Sequence, residues 1–120
     1  REVLQSLLTA AQNAEAHGIV RDAIVIDPGI GFGKRLDDNI ALMQHIPDFV
    51  ATGYPVLIGI SRKSTIGAIT GKDPHGRLPG SLGAACWAAE HGAAIIRVHD
   101  VAETVDALKV YLAFKGVYKS

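Results

Sequence analysis

PVLIGISRKS, residues 55–64, decides the fold. Its first six residues, 55–60, form a short continuous apolar run, the pattern of a strand buried on both faces. Its last four are polar and basic and open a short helix over 61–70. A buried strand that runs straight into a helix is a βα unit. Two similar runs flank it: AIVI (23–26), bounded by Asp27-Pro28-Gly29, and AIIRV (94–98), followed by His99 and Asp100.

Between these runs the apolar residues return at helical spacing. Residues 1–17 carry Val3, Leu4, Leu7, Leu8, Ala11 and Ala14, with Gly18 as the stop. Residues 37–51 turn Leu42, Ile46, Phe49 and Val50 inward, with Gly53 behind them. TGKDPHGRLPG (70–80) reads as a loop and SLGAACWAAEHG (81–92) as a helix of small residues. The last helix, 100–114, places Val101, Val105, Leu108 and Leu112 on one face. Asp100 stands as its cap, with Glu103 at the reciprocal position. The order α-β-α-β-α-β-α predicts an α/β fold with right-handed crossovers and a parallel sheet of three strands alternating with helices. Three strands leave two unpaired edges, and the chain opens on a helix that should follow a strand. Both features point to the last third or so of something larger.

The 120 residues suffice for one core, and 48% of them are apolar. Twelve basic and twelve acidic residues cancel. No net field draws in nucleic acid or an anionic membrane, so an anion site must be local. No apolar run is long enough to span a membrane, and the N-terminus is amphipathic rather than a signal peptide. The single cysteine, Cys86, cannot form an intrachain disulfide, which fits the cytoplasm.

Each strand ends in polar residues that packing does not require. In parallel α/β folds the C-terminal strand ends share one rim, where ligands bind, so these residues should converge. Asp27 offers a carboxylate that can accept two N–H donors from a flat heterocycle; the competing reading is a turn former before Pro-Gly. The loop GIGFGK (29–34) matches neither a dinucleotide fingerprint nor a Walker loop. Within it Phe32 either plugs the core or covers a ligand. Ser61-Arg62-Lys63-Ser64 combines basic side chains with the amides of a helix start, which bind anions. Lys63 can donate to a carbonyl or ring nitrogen, and Ser64 can hold a carboxylate; a solvated basic turn is the alternative, above all for Arg62. Arg97 and His99 are two apart on a strand and point the same way, with Val98 opposite. Such a pair on a buried strand requires an anion or a partner. Of the other histidines, His17 and His91 sit at helix ends, where a structural role suffices, and His45 and His75 have no discernible partner. Cys86 and Trp87 read as packing residues. No metal-ligand spacing appears.

DPGIGFGK (27–34), GISRKS (59–64), RLPGSL (77–82) and IIRVHD (95–100), in this order and spacing, resemble the last three β/α units of dihydropteroate synthase. The resemblance covers the whole chain. It implies that residues 1–120 are the C-terminal part of a pterin-binding (β/α)₈ barrel lacking its N-terminal strands, in a cytoplasmic enzyme. It further implies a transferase of folate synthesis that joins dihydropterin-methyl diphosphate to p-aminobenzoate and releases pyrophosphate, that sulfonamides inhibit, and that forms a homodimer or otherwise self-associates. By the same resemblance Asp27, Gly59, Lys63 and Arg97 bind the pterin. Phe32, Lys63 and Ser64 frame the aminobenzoate, and Arg97 and His99 hold the diphosphate. Lys63, Arg97 and His99 carry the chemistry. The implied cofactor, Mg²⁺, has its ligand in the early strands, outside this chain. A complete barrel needs about 250 residues, so the chain alone is expected to turn over poorly or not at all. Two rivals remain. One is the pterin-binding domain of a methyltetrahydrofolate methyltransferase; the other is a non-enzymatic, truncated folding unit that pairs with its own copies.

Overall fold

The computed structural model describes residues 2–30, 35–60 and 64–116, and the expected alternation runs through them. In chain order the elements are α1 (Glu2–Ala16), α2 (Leu36–Gln44), α3 (Ile46–Val50), β1 (Leu57–Gly59), α4 (Ser64–Thr70), α5 (Leu78–Glu90), β2 (Ile95–Arg97) and α6 (Val101–Lys115). Single 3₁₀ turns lie at Arg21–Ala23 and Pro74–Gly76.

β1 and β2 pair in parallel, Leu57 opposite Ile95, Ile58 opposite Ile96 and Gly59 opposite Arg97. The strand expected at 23–26 is reduced to one parallel bridge, Ile26 to Val56. Two prolines explain the loss. The Ile26 N–H donates to the Pro55 carbonyl at 2.9 Å and the Leu57 N–H donates to the Ile26 carbonyl at 2.9 Å. The next rung back would need an N–H on Pro55, and the next rung forward an N–H on Pro28; proline has neither. The three segments still lie side by side in the order Ile26, β1, β2, all running the same way.

The strands are not buried on both faces as expected. Ile24, Ile26, Val56, Ile58 and Ile60 are buried, and Ile96 and Val98 pack on the same cluster, together with Ala11, Leu42, Ile46, Phe49, Ala85 and Ala88 from the helices. At the alternating positions Val25 is 43% exposed and Ile95 44%, and Arg97 and His99 are exposed as well. The described helices cover one face of the sheet and leave the other open. The extents, 44 × 39 × 20 Å, match one sheet backed by one helix layer.

α1 meets its expectation: Val3, Leu4, Leu7, Leu8 and Ala14 pack on the core around buried Ala11. It ends in a Schellman turn, with Gly18 at φ 97°, the Gly18 N–H on the Glu15 carbonyl and the Ile19 N–H on that of Ala14. The single helix expected over 37–51 is two, α2 and α3, broken at His45. Pro47 is the cause, because its ring and missing N–H cannot continue α2. An unbroken helix would serve the Met43 carbonyl from residue 47; here the indole N–H of Trp87, on α5, donates to it at 2.8 Å. Trp87 therefore does more than pack, and its ring also stacks on His91 at 4.0 Å. His45 has a partner after all, with Nδ1 at 2.9 Å from the Asp48 carboxylate.

α5 starts at Leu78, three residues earlier than expected, with Pro79 in its first turn, where a missing N–H costs nothing. On α6 the packed side is not Val101, Val105, Leu108 and Leu112. Thr104 is buried and Ala107, Leu108, Tyr111 and Leu112 are half-buried, while Val101 and Val105 are 60% and 42% exposed. Asp100 occupies the N-cap position, but its side chain makes no capping bond. Its ψ of 73° departs from the extended backbone that aims a cap at the first amides.

Candidate active site

The parallel register brings the C-terminal strand ends to one edge, as the sequence predicts. Ile26 lies beside Val56, and Gly59 beside Arg97, so Asp27, Gly59, Arg97 and His99 share that edge. Phe32 and Lys63 lie outside the described residues, as do Ser61 and Arg62. Ser64 begins α4 directly after the edge. With seven residues α4 is a short helix, and its macrodipole is correspondingly small.

Asp27 is half-buried. Its Oδ1 accepts the Gly29 N–H at 2.8 Å, and Gly29 takes φ 77°. This is an Asx turn. The turn reading of Asp27 therefore holds for one oxygen, and the same bond fixes the direction in which the carboxylate faces. Arg97 and His99 follow the alternation of β2 onto the open face, while Val98 packs on the core. The expected common direction of Arg97 and His99 is present, but on an exposed surface rather than inside a closed barrel. Among the described residues no carboxylate forms an ion pair with Arg97. An anion approaching this edge meets a guanidinium already turned toward it, next to a histidine.

Away from this edge, the Tyr54 phenol and the Glu90, Tyr111 and Lys115 side chains are shifted. The Tyr54 hydroxyl donates to the Glu15 carboxylate, which also pairs with Arg21 at 3.3 Å, and the Arg21 guanidinium lies 4.0 Å over the Tyr54 ring. The Glu15 bond, with burial, raises the Tyr54 phenol, against a smaller opposing pull from Arg21. This cluster precedes β1, at the opposite end of the strands from Asp27 and His99, where side chains serve stability rather than chemistry. A second cluster joins α5 to α6. The Tyr111 hydroxyl donates to Glu90, and the Lys115 Nζ stands 3.3 Å from the same carboxylate. These bonds lower Glu90 and raise Tyr111 and Lys115. Sequence reasoning missed both clusters, since each closes across a long separation, 39 residues for Tyr54 and Glu15 and 21 for Tyr111 and Glu90, and carries no shared motif.

Cavities open on the helix side. One, of about 450 Å³ between α1 and α2–α3, contains none of the strand-end residues. Another, of about 300 Å³ between α2, α4 and α5, backs onto the edge at Gly59 and Ile60 and is otherwise lined by apolar groups such as Met43, Ile66 and Trp87. Among the described residues no three His, Cys, Asp or Glu side chains gather to hold a metal ion. No described helix is long and apolar enough to cross a membrane.

The comparisons with known proteins agree with the fold. Residues 1–99 match the family described as pterin binding enzyme. Dihydropteroate synthase of Neisseria meningitidis serogroup C is 51% identical over 114 residues, covering 93% of this chain and 40% of that protein. Inactive dihydropteroate synthase 2 of Mycobacterium bovis is 39% identical over 115 residues, covering 96% of this chain and 36% of that protein. The dihydropteroate synthase of Xanthomonas albilineans, solved in complex with 7,8-dihydropteroate and separately with 4-aminobenzoic acid, superposes with a TM-score of 0.93 at 47% identity, over 98% of this chain and 45% of that one. The α/β architecture is thus part of a barrel of that kind, and the chain spans about 40% of the length of the curated relatives it matches. The chain belongs to the family of pterin binding enzymes.

Proposed function

We propose that this chain is the C-terminal part of a cytoplasmic dihydropteroate synthase and supplies the diphosphate-holding side of its active site. One observation carries the reading: Arg97 and His99 stand together on the open face of a parallel sheet, at the strand end that Asp27 and Gly59 share. Neutral overall charge makes Arg97, with the donor of His99 beside it, the chain's local means of holding an anion.

In this reading Asp27 accepts the N–H donors of the pterin's amino-pyrimidine edge with its carboxylate, held in direction by the Gly29 amide. Gly59 contacts the flat ring. Lys63 donates to the pterin from the other side and frames the aminobenzoate, with Phe32 against its ring and Ser64 at its carboxylate. Arg97 lies on the pterin and, with His99, holds the diphosphate. The C–O bond from the pterin methylene breaks, and its electron pair leaves with the diphosphate. Charge accumulates on that oxygen in the transition state, so fixed donors there lower the barrier. The aniline nitrogen supplies the pair for the new C–N bond and then releases its proton. An aniline is already nucleophilic, and no described residue is needed as its base. Exposed apolar residues on α6, Val110 at 54% and Phe114 at 87%, support self-association through this helix.

The test is pyrophosphate binding by titration calorimetry, with turnover assayed alongside. The chain is expected to bind pyrophosphate, and Arg97→Ala with His99→Ala to weaken that binding at least about tenfold, the size of one lost charged hydrogen bond. Equal binding by the double variant would sink the reading. Binding of p-aminobenzoate, inhibited by a sulfonamide, separates it from the methyltransferase alternative. Dihydropteroate formed at an ordinary enzymatic rate by this chain alone would refute the claim that it supplies only one side of the site.

A further inference from the structure

We propose that Gly59 is a positioning residue: its missing side chain is the seat on which the Arg97 guanidinium rests. The inference rests on the diphosphate-holding role given to Arg97 above. Gly59 and Arg97 are partners in the β1–β2 register. On a pleated sheet, partner side chains on one face would stand side by side. With no side chain on Gly59, Arg97 instead folds sideways across β1. A Cβ built on Gly59 would lie 2.3 Å from Arg97 Nη2, 3.0 Å from Cζ and 3.3 Å from Nε. The three nearest atoms all belong to this one guanidinium. Its plane therefore occupies the space of the absent methyl, over the middle segment of the three, between Asp27 on one side and His99 on the other.

The glycine is not there for its backbone. Its φ lies outside the left-handed region, so alanine can adopt the same conformation. The group that must yield is the far end of a flexible side chain, which moves without disturbing the core. Gly59→Ala should thus leave the fold intact while displacing the guanidinium by about 1 Å or more, the distance from 2.3 Å to ordinary contact. A shift of that size in a positioned group costs on the order of ten- to a hundredfold.

Two measurements test this. The first is the through-space NMR contact between the Gly59 Hα protons and Arg97 Hε, expected in the native chain and absent in Gly59→Ala at an unchanged melting temperature. The second is a double-mutant cycle of Gly59→Ala and Arg97→Lys on pyrophosphate affinity. Gly59→Ala is expected to weaken pyrophosphate about tenfold beside Arg97, and less than about twofold beside the lysine, whose ammonium has no plane to seat. An equal effect in both backgrounds, or none beside Arg97, would overturn the inference. Native chain that binds no pyrophosphate would instead overturn the functional reading, and the NMR contact then decides the seat alone.

Discussion

Trp87→Phe removes the donor that serves the Met43 carbonyl at the α2–α3 break, and Pro47 determines what that loss costs. The indole N–H reaches the carbonyl at 2.8 Å. An exposed hydrogen bond of this kind contributes at most about 1 kcal/mol. The indole is 44% exposed, so phenylalanine gives up about 20 Å² of buried apolar surface, worth about 0.5 kcal/mol. The sum, about 1.5 kcal/mol, should lower the melting temperature by about 6 °C. Pro47→Ala restores a backbone N–H four residues past Met43, the donor an unbroken helix would use. In that background Trp87→Phe should cost only the packing term, leaving a coupling of about 1 kcal/mol between the two positions. Urea denaturation followed by far-UV circular dichroism measures all four chains; fluorescence will not serve, since Trp87 is the only tryptophan. If Trp87→Phe costs the same with and without Pro47, the bond does not compensate for the proline and the explanation of the break is wrong.

Three further outcomes follow from single observations. Thr65 Oγ1 is buried with no hydrogen-bond partner among the described residues, so Thr65→Val, which replaces the hydroxyl by a methyl of like shape, should raise stability by about 1 kcal/mol in the same urea assay; a loss of that size would mean the hydroxyl has a partner. Tyr54, Tyr111 and Lys115 are all raised in the fold. Their contribution is complete below their ordinary values near ~10 and disappears as pH climbs through the higher folded ones; melting temperature should fall across that window, and less steeply in Tyr54→Phe with Tyr111→Phe. Glu90 is lowered by its bonds to Tyr111 and Lys115, so its contribution is present above the ordinary carboxylate range and vanishes as pH falls through the depressed value. Glu90→Gln should therefore narrow the difference in melting temperature between neutral and acid solution, and an unchanged difference would remove Glu90 from the account.

Local pattern made the element order legible, but three departures needed information that only the assembled chain holds. The AIVI run carries every sign of a buried strand. What limits it to one bridge is register: Pro55 and Pro28 happen to stand where the next two rungs need donors. The single helix read over 37–51 passed over Pro47, and the remedy for its missing N–H comes from Trp87, 40 positions on. On α6 an apolar stripe was read from Val101 and Val105, whereas packing against α5 selects the side that carries Tyr111, because Tyr111 and Lys115 can reach Glu90 from there. In each case the local pattern was read without the partner that decides the outcome, since partners are set by tertiary contact.

The candidate site shows the same division with a different consequence. The common direction of Arg97 and His99 follows from strand period alone and needs no partner, so it was readable from the sequence. Burial of that strand face was inferred from apolar composition, and it failed because Ile95 and Val25 have no layer against them among the described residues. An apolar residue at the barrel-facing position reports what will cover it, whether or not the covering elements belong to the same chain. Open Ile95 and Val25, on the same sheet face as Arg97, therefore fit a face completed by further strands, as in relatives more than twice as long. The functional reading thus requires more of these two residues than of Arg97 and His99. Covering that face should bury Arg97, lower the dielectric around it and strengthen its hold on an anion, so pyrophosphate affinity should rise when the chain is supplied with those strands.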